Sequence, residues 1–158
     1  MLEIRHITFD VIVDIWTNYL WPNRVSAIEP HSLIKYSSYP YAYDITYTNT
    51  IPIFFGLYLH NKLIGVNSGH RTNNSFRSRG LYVFDYYRGN GYGSILLLET
   101  IKFAKESMTE YVWSMPRYSA ISTYTSAGFK QSSDWFPTET SEKNTYVIYN
   151  NSECDNTK

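Results

Sequence analysis

Apolar and polar residues alternate through "LEIRHI", which predicts an opening β-strand. The period then lengthens. Ile12, Ile15, Trp16, Tyr19 and Leu20 recur at helical spacing, with Thr8 placed to cap the helix and Pro22 to stop it. "IPIFFGLYLH" and "KLIGVNSGHRT" predict two strands around a His-Asn-Lys turn, and "FRSRGLYVF" a third after "NNS", giving an antiparallel meander. Over 94–108, Leu97, Ile101, Ala104 and Met108 form one helical stripe beside Ile95 and Leu98. "YVWSM" reads as a short strand, reached from the meander by a βαβ crossover. "SAISTYTSA" reads as a short helix with Gly128 as its C-cap, and "FKQSSDWF" and "NTYVIY" as a closing pair of strands. Within 21–50, "SLIKY" reads as a short helical turn, and "YSSYPYAYDITYTNT", turn formers among tyrosines, reads as a long loop, a feature often tied to function. The expected fold is a single α/β (α+β) domain. A mixed, mostly antiparallel twisted sheet of about six to seven strands is flanked by helices. The domain spans 1–150, and the polar tail 151–158 is expected to be disordered.

Composition narrows the function. The chain has 158 residues, enough for one real core, and a formal net charge of zero. No whole-molecule basic field draws it to nucleic acid or to an anionic membrane, so neither partner is expected. No apolar run approaches about 20 residues, and the N-terminus lacks the layout of a signal peptide. Cytoplasmic conditions are the simplest expectation. The single cysteine, Cys154, excludes a disulfide within the chain. His6, His31 and His60 are too scattered to form a ligand set, so no metal is expected. The sixteen tyrosines suit a partly open cleft, where a ring packs while its hydroxyl stays wet, and they also favour strands.

The stretch "YYRGNGYGSILLLETIKFAKE" sets glycines at 89, 91 and 93 in front of a helix. A P-loop needs a lysine after the last glycine, and none follows. The spacing also differs from a dinucleotide fingerprint, and no matching acidic residue closes a second strand. Two readings remain. One is a tight turn with no ligand. The other is a diphosphate site made mostly of main chain, where the first helical amides have no internal partner and glycine lets a phosphate approach. In that second reading Arg88 adds a cation at the edge.

"LYVFDYYRGNGYGSILL" closely resembles motif A of the GNAT superfamily, the Gcn5-related N-acetyltransferases. Arg88, Gly91 and Gly93 fill the family's pattern, between an apolar strand and an apolar helix. "AISTYTSAGF" resembles the family's later motif through Tyr124, Gly128 and Phe129. The match of elements runs over 2–149, and the residue-level match is confined to 81–98 and 120–129. Arg117 departs from the pattern. It stands where many members carry an asparagine that contacts the pantetheine arm, and could meet a phosphate or the acceptor instead.

The resemblance implies acetyl-CoA as co-substrate and direct transfer to a primary amine through a tetrahedral intermediate. Main-chain groups of Leu81, Tyr82 and Val83 would hold the pantetheine arm where their strand splays from "YVWSM", with an amide near Val83 polarising the thioester. The diphosphate would rest on Arg88, Gly89, Asn90, Gly91, Tyr92, Gly93 and Ser94, with Arg117 nearby. Tyr124 is the candidate general acid, protonating the departing thiolate. A general base is not specified by the residues: His70, Asp85 and Glu29 are the candidates, and His70 has the suitable intrinsic pKa. The acceptor, a small molecule or a protein amine, is expected against the irregular region, with Arg24, Glu29, Tyr41 and Tyr43 as its contacts. The closing strands could pair across a homodimer. The alternatives are a non-catalytic GNAT-like module that binds acetyl-CoA as a sensor, and a protein-interaction domain presenting tyrosines.

Overall fold

Two changes of period in the sequence become two layers of helix on a single sheet. The computed structural model describes residues 1–32, 51–72 and 75–151. The strands are β1 (Leu2–His6), β2 (Ile53–Leu59), β3 (Lys62–Thr72), β4 (Ser75–Val83), β5 (Tyr111–Ser114), β6 (Lys130–Gln131) and β7 (Val147–Asn150). The α-helices are α1 (Phe9–Ile15), α2 (Tyr92–Glu106) and α3 (Ile121–Ser126), and α1 runs on into a π-helical turn, Trp16–Leu20. Among the described residues the strands form one sheet in the order β1-β2-β3-β4-β5-β7-β6. Every pairing is antiparallel except β4 with β5, the pair joined through α2. Tyr41 and Tyr43, with the rest of 33–50, lie outside the described residues, as does the tail 152–158.

The apolar stripes decide which face each helix covers. Leu97, Ile101 and Ala104 of α2 pack with Phe76, Val112, Tyr124 and Phe129, while Leu96 joins Phe55, Leu57 and Ile64. On the opposite face Ile12, Ile15 and Trp16 pack with Phe54 and Val66. The stripe predicted for α2 needs correction at two positions. Leu98 is half exposed, and Met108 lies beyond the helix end, exposed and at φ 59°. α2 stops at Glu106, and the Met108 amide bonds to Lys105 O in the closing turn.

Two further expectations differ. Thr8 stands at the N-cap of α1 but makes no side-chain cap bond; its carbonyl instead receives the Val11 and Ile12 amides. The strand expected over "FKQSSDWF" is cut to Lys130–Gln131, with an isolated bridge between Phe136 and Asn144. Serine chemistry breaks that ladder: the Tyr146 amide donates to Ser133 Oγ at 2.9 Å rather than to a backbone carbonyl.

β4 carries the feature that matters for function. Its register against β3 slips between Val66↔Tyr82 and Ser68↔Arg79, a bulge at Gly80 and Leu81. Gly80 has φ +79°, and its carbonyl accepts the Trp16 indole N–H at 2.8 Å. β4 pairs with β5 only through Ser75, Phe76 and Arg77, and beyond them the two strands diverge.

Candidate active site

The divergence opens a cleft of about 690 Å³ between β4 and β5, bounded by the glycine loop, the start of α2, α3 and the π-turn. Its walls include Leu81, Tyr82 and Val83 on one side and Ser114, Arg117 and Tyr124 on the other. The Phe84 amide bonds to Ile64 O on β3. Strand alternation therefore turns the Val83 amide the other way, toward the fork where β5 no longer pairs.

The glycine loop is built by side chains that tie it to itself. Asn90 Nδ2 donates to the carbonyls of Tyr87 and Arg88, at 3.0 and 3.3 Å. Arg88 Nε donates to Val83 O at 2.8 Å, and its Nη1 meets Asp85 Oδ1 at 2.6 Å. Arg88 thus fixes the end of β4 as well as placing a cation at the cleft edge. Gly89 and Gly91 have φ of +82° and +80°, with open space where a Cβ would stand. The first helical bond of α2 is Ile95 N–H to Gly91 O at 3.2 Å, so the amides of Tyr92, Gly93 and Ser94 have no helical acceptor. An open, Cβ-free rim in front of a 15-residue helix fits a diphosphate. Gly93 differs from its neighbours: a Cβ there would lie 2.8 Å from Thr123 Cγ2, so this glycine lets α3 approach α2.

That approach sets Tyr124. The Gly128 amide bonds to Thr125 O and the Phe129 amide to Tyr124 O, both at 3.0 Å, the paired bonds of a Schellman cap. Gly128 supplies the positive φ, +103°, and the Phe129 ring packs edge-on against Tyr124 with centroids 5.5 Å apart. The "Y-T-S-A-G-F" spacing is therefore the cap that holds the phenol in place. Tyr124 is 4% exposed, and its hydroxyl lies 3.5 Å from Ser114 Oγ, which also donates to Ser78 O at 2.7 Å. Burial pushes the Tyr124 phenol up, partly opposed by the Ser114 hydrogen bond and the charge of Arg77. The phenol keeps its proton at neutral pH.

The remaining candidates are dispersed. Arg117 lines the cleft with Nη2 on Leu20 O at 2.5 Å, joining the β5–α3 connection to the π-turn, and burial lowers its pKa. Arg24 and Glu29 do not line the cleft among the described residues. Arg24 pairs with Glu139 at 3.6 Å, and the Glu29 carbonyl accepts from Arg79 at 2.8 Å. His70 is 1% exposed and is also absent from the described lining. Burial, followed by the charges of Arg77, Arg79 and His31, holds its pKa well below the usual range, so it is neutral.

Sequence reasoning passed over Arg77, Gly80 and Ser114. A glycine inside a strand pattern was the available signal for the bulge. Of the arginines at 77 and 79 on one strand face, only Arg77 lines the cleft among the described residues, while Arg79 donates to Glu29 O and stacks on Trp16 and Trp21.

Comparison with known proteins agrees with this geometry. No curated protein matches the chain. Among solved structures, an IAA acetyltransferase from Bacillus cereus superposes with a TM-score of 0.70 at 15% identity, covering 95% of this chain and 99% of that one. An acetyltransferase from Bacillus subtilis in complex with CoA gives 0.63 at 17% identity, covering 95% and 99%. The ribosomal-protein-S18-alanine N-acetyltransferase from Escherichia coli gives 0.61 at 15%, covering 95% and 94%. At these identities the likeness establishes the fold. The sequence itself matches the acetyltransferase (GNAT) family over residues 14–129, which takes in the π-turn, the bulged β4, the glycine loop and the Tyr124 cap, and the chain belongs to that family.

Proposed function

We propose that this chain transfers an acetyl group from acetyl-CoA to the amine of a small molecule or a protein. The observation that carries the reading is the fork. Leu81, Val83 and the start of α2 line the open space between β4 and β5 together with a buried, protonated Tyr124. CoA in the related Bacillus subtilis structure supports the same co-substrate here.

Bound acetyl-CoA would supply an activated acetyl group and a thiolate leaving group. The amides of Tyr92, Gly93 and Ser94 bind the diphosphate, and the bulged β4 holds the pantetheine arm by strand-like hydrogen bonds. The Val83 amide is aimed where a thioester oxygen gains negative charge. Tyr124 gives its proton to the departing sulfur and regains one from water. Ser114 carries one hydroxyl hydrogen, which can turn from Ser78 O toward the phenolate left behind.

A non-catalytic acetyl-CoA module is the second reading. It is favoured by one observation: among the described lining residues, no histidine or carboxylate stands near Tyr124 to take the amine proton. Titration calorimetry with acetyl-CoA, then a mass-detected screen of amines, separates the readings. Binding with acetylated product supports the transferase. Binding without product on any amine supports the module, and no binding sinks both.

A further inference from the structure

β1 ends the sheet, and its outer edge has no partner strand among the described residues. The pairing with β2 fixes which groups that edge presents. The Ile7 amide donates to Phe54 O at 3.0 Å, and the Met1 carbonyl accepts from the His60 amide at 2.9 Å. Alternation then turns the main-chain N–H and C=O of Glu3 and Arg5 toward β2, and those of Leu2, Ile4 and His6 outward. Such an edge invites another strand unless it is short, bulged, interrupted by proline or guarded by charge. β1 runs for 5 residues without proline, and its register with β2 does not slip. Its charges are one of each sign, Glu3 and Arg5. The opposite edge of the sheet, β6, has only Lys130 and Gln131.

The side chains of β1 select the partner. Glu3 and Arg5 share one face and meet at 2.5 Å, with Arg5 also bonded to Asn61 Oδ1 and stacked 4.2 Å from the Tyr58 ring centroid. Leu2, Ile4 and His6 share the other face, where Ile4 packs beside Phe55 and Leu57. In an antiparallel pair of identical strands, the outward groups of one copy face the outward groups of the other. Centring the pair on Ile4 sets Ile4 against Ile4 and Leu2 against His6, so every outward N–H and C=O finds its bond. The same register puts Glu3 opposite Arg5 of the second copy, and Arg5 opposite its Glu3, where side chains come closest. The next registers that keep outward groups facing set Glu3 against Glu3, or Arg5 against Arg5. One register therefore satisfies main chain and charge together. We propose that β1 is a self-association edge, through which two copies of this chain join in antiparallel register about Ile4 into one continuous sheet. The fork between β4 and β5 lies inside the sheet, away from this edge, so both clefts stay open in the pair. An edge of 5 residues buries much less than the about 1,600 Å² of a standard interface, so the dimer exchanges with monomer at micromolar or higher concentration.

Sedimentation velocity of the whole chain, from micromolar to near-millimolar protein, is the test. The wild type is expected to pass from monomer to dimer across that range. Glu3→Lys and Arg5→Glu each set like charges opposite one another, and each variant alone should dimerise at least about tenfold more weakly. Mixing the two variants sets opposite charges across both contacts again, so the mixture should form a heterodimer at wild-type concentrations. Ile4→Pro deletes an outward N–H and no bond to β2, so it should keep its circular dichroism and lose the dimer. If that variant fails to fold, the charge variants still decide. A monomer at every concentration, as an edge suited to a strand from a different protein would give, overturns the proposal. So does a dimer indifferent to Glu3→Lys, a mixture no more associated than its components, or a dimer that survives in folded Ile4→Pro.

Discussion

The Tyr124 hydroxyl lies 3.5 Å from Ser114 Oγ across the fork, with Ser114 itself hydrogen-bonded to Ser78 O on β4. One side chain thereby links α3, β5 and β4 at the point where the strands part. Tyr124→Phe keeps the ring on Phe129 and deletes only the proton donor. Turnover should fall by about 10²-fold or more, the usual worth of a positioned acid, while acetyl-CoA affinity stays within about twofold. Stopped-flow thiol release beside calorimetry checks this. Unchanged turnover would mean the sulfur takes its proton elsewhere.

Tyr124 also shapes stability at high pH. Its folded pKa is raised, chiefly by burial. Such a group contributes stability that is fully present below the unfolded value, about 10, and lost as pH rises through the folded one. Urea unfolding should thus show a decline in stability above pH about 10 that is shallower in Tyr124→Phe than in the wild type. Identical slopes would place the phenol in contact with solvent.

His70 should act at the other end of the scale. Its folded pKa is depressed by burial and by Arg77, Arg79 and His31. The unfolded chain binds a proton first as pH falls, so stability present above about 6.5 is lost below it. His70→Gln should flatten the loss that sets in below about pH 6.5. The same variant reports on catalysis: a kcat that stays within about threefold of wild type agrees with a histidine absent from the described lining, whereas a loss of about 10²-fold would restore it as the base.

What could be read in the sequence was whatever local spacing dictates. Each strand of the meander, the glycine loop and the "YTSAGF" cap is written within a dozen residues, and each stands in the structure at the elements expected. What escaped was set by neighbours distant in sequence. Ser114 reads as an ordinary strand residue, and only the parting of β4 from β5 brings it to Ser78 and Tyr124. Gly93 reads like Gly91 along the chain, yet it answers to Thr123 thirty positions later. His70 has a suitable intrinsic pKa, but the arginines at 77 and 79 are aligned with it only by the β3–β4 register.

The Gly93–Thr123 contact is open to a paired test. A Cβ at Gly93 would meet Thr123 Cγ2 at 2.8 Å, so Gly93→Ala should cost about 1–3 kcal/mol of stability by overpacking. Adding Thr123→Ser removes that methyl and should recover most of the loss. Gly91→Ala meets no protein atom and should cost about 1–2 kcal/mol through its positive φ alone, with no rescue by Thr123→Ser. Thermal melts of the four variants decide, and rescue of both glycine variants by Thr123→Ser would contradict the assignment.

The bulge that opens the fork depends on Trp16 and Gly80 together. The Trp16 N–H holds the Gly80 carbonyl at 2.8 Å, and a Cβ on Gly80 would sit 2.3 Å from the indole ring. Trp16→Phe leaves that carbonyl without its donor and removes part of a fully buried ring. It should lower stability by about 2–4 kcal/mol, from the lost bond and the cavity combined. Gly80→Ala attacks the same contact from the other side, adding a clash to a φ of +79°. If the bulge aims Leu81 and Val83 into the cleft, variants that still fold should lose acetyl-CoA affinity by tenfold or more. Calorimetry at a temperature well below each variant's melting point separates this from unfolding. Wild-type affinity in a folded Gly80→Ala protein would show that the strand reaches its splayed course without the bulge.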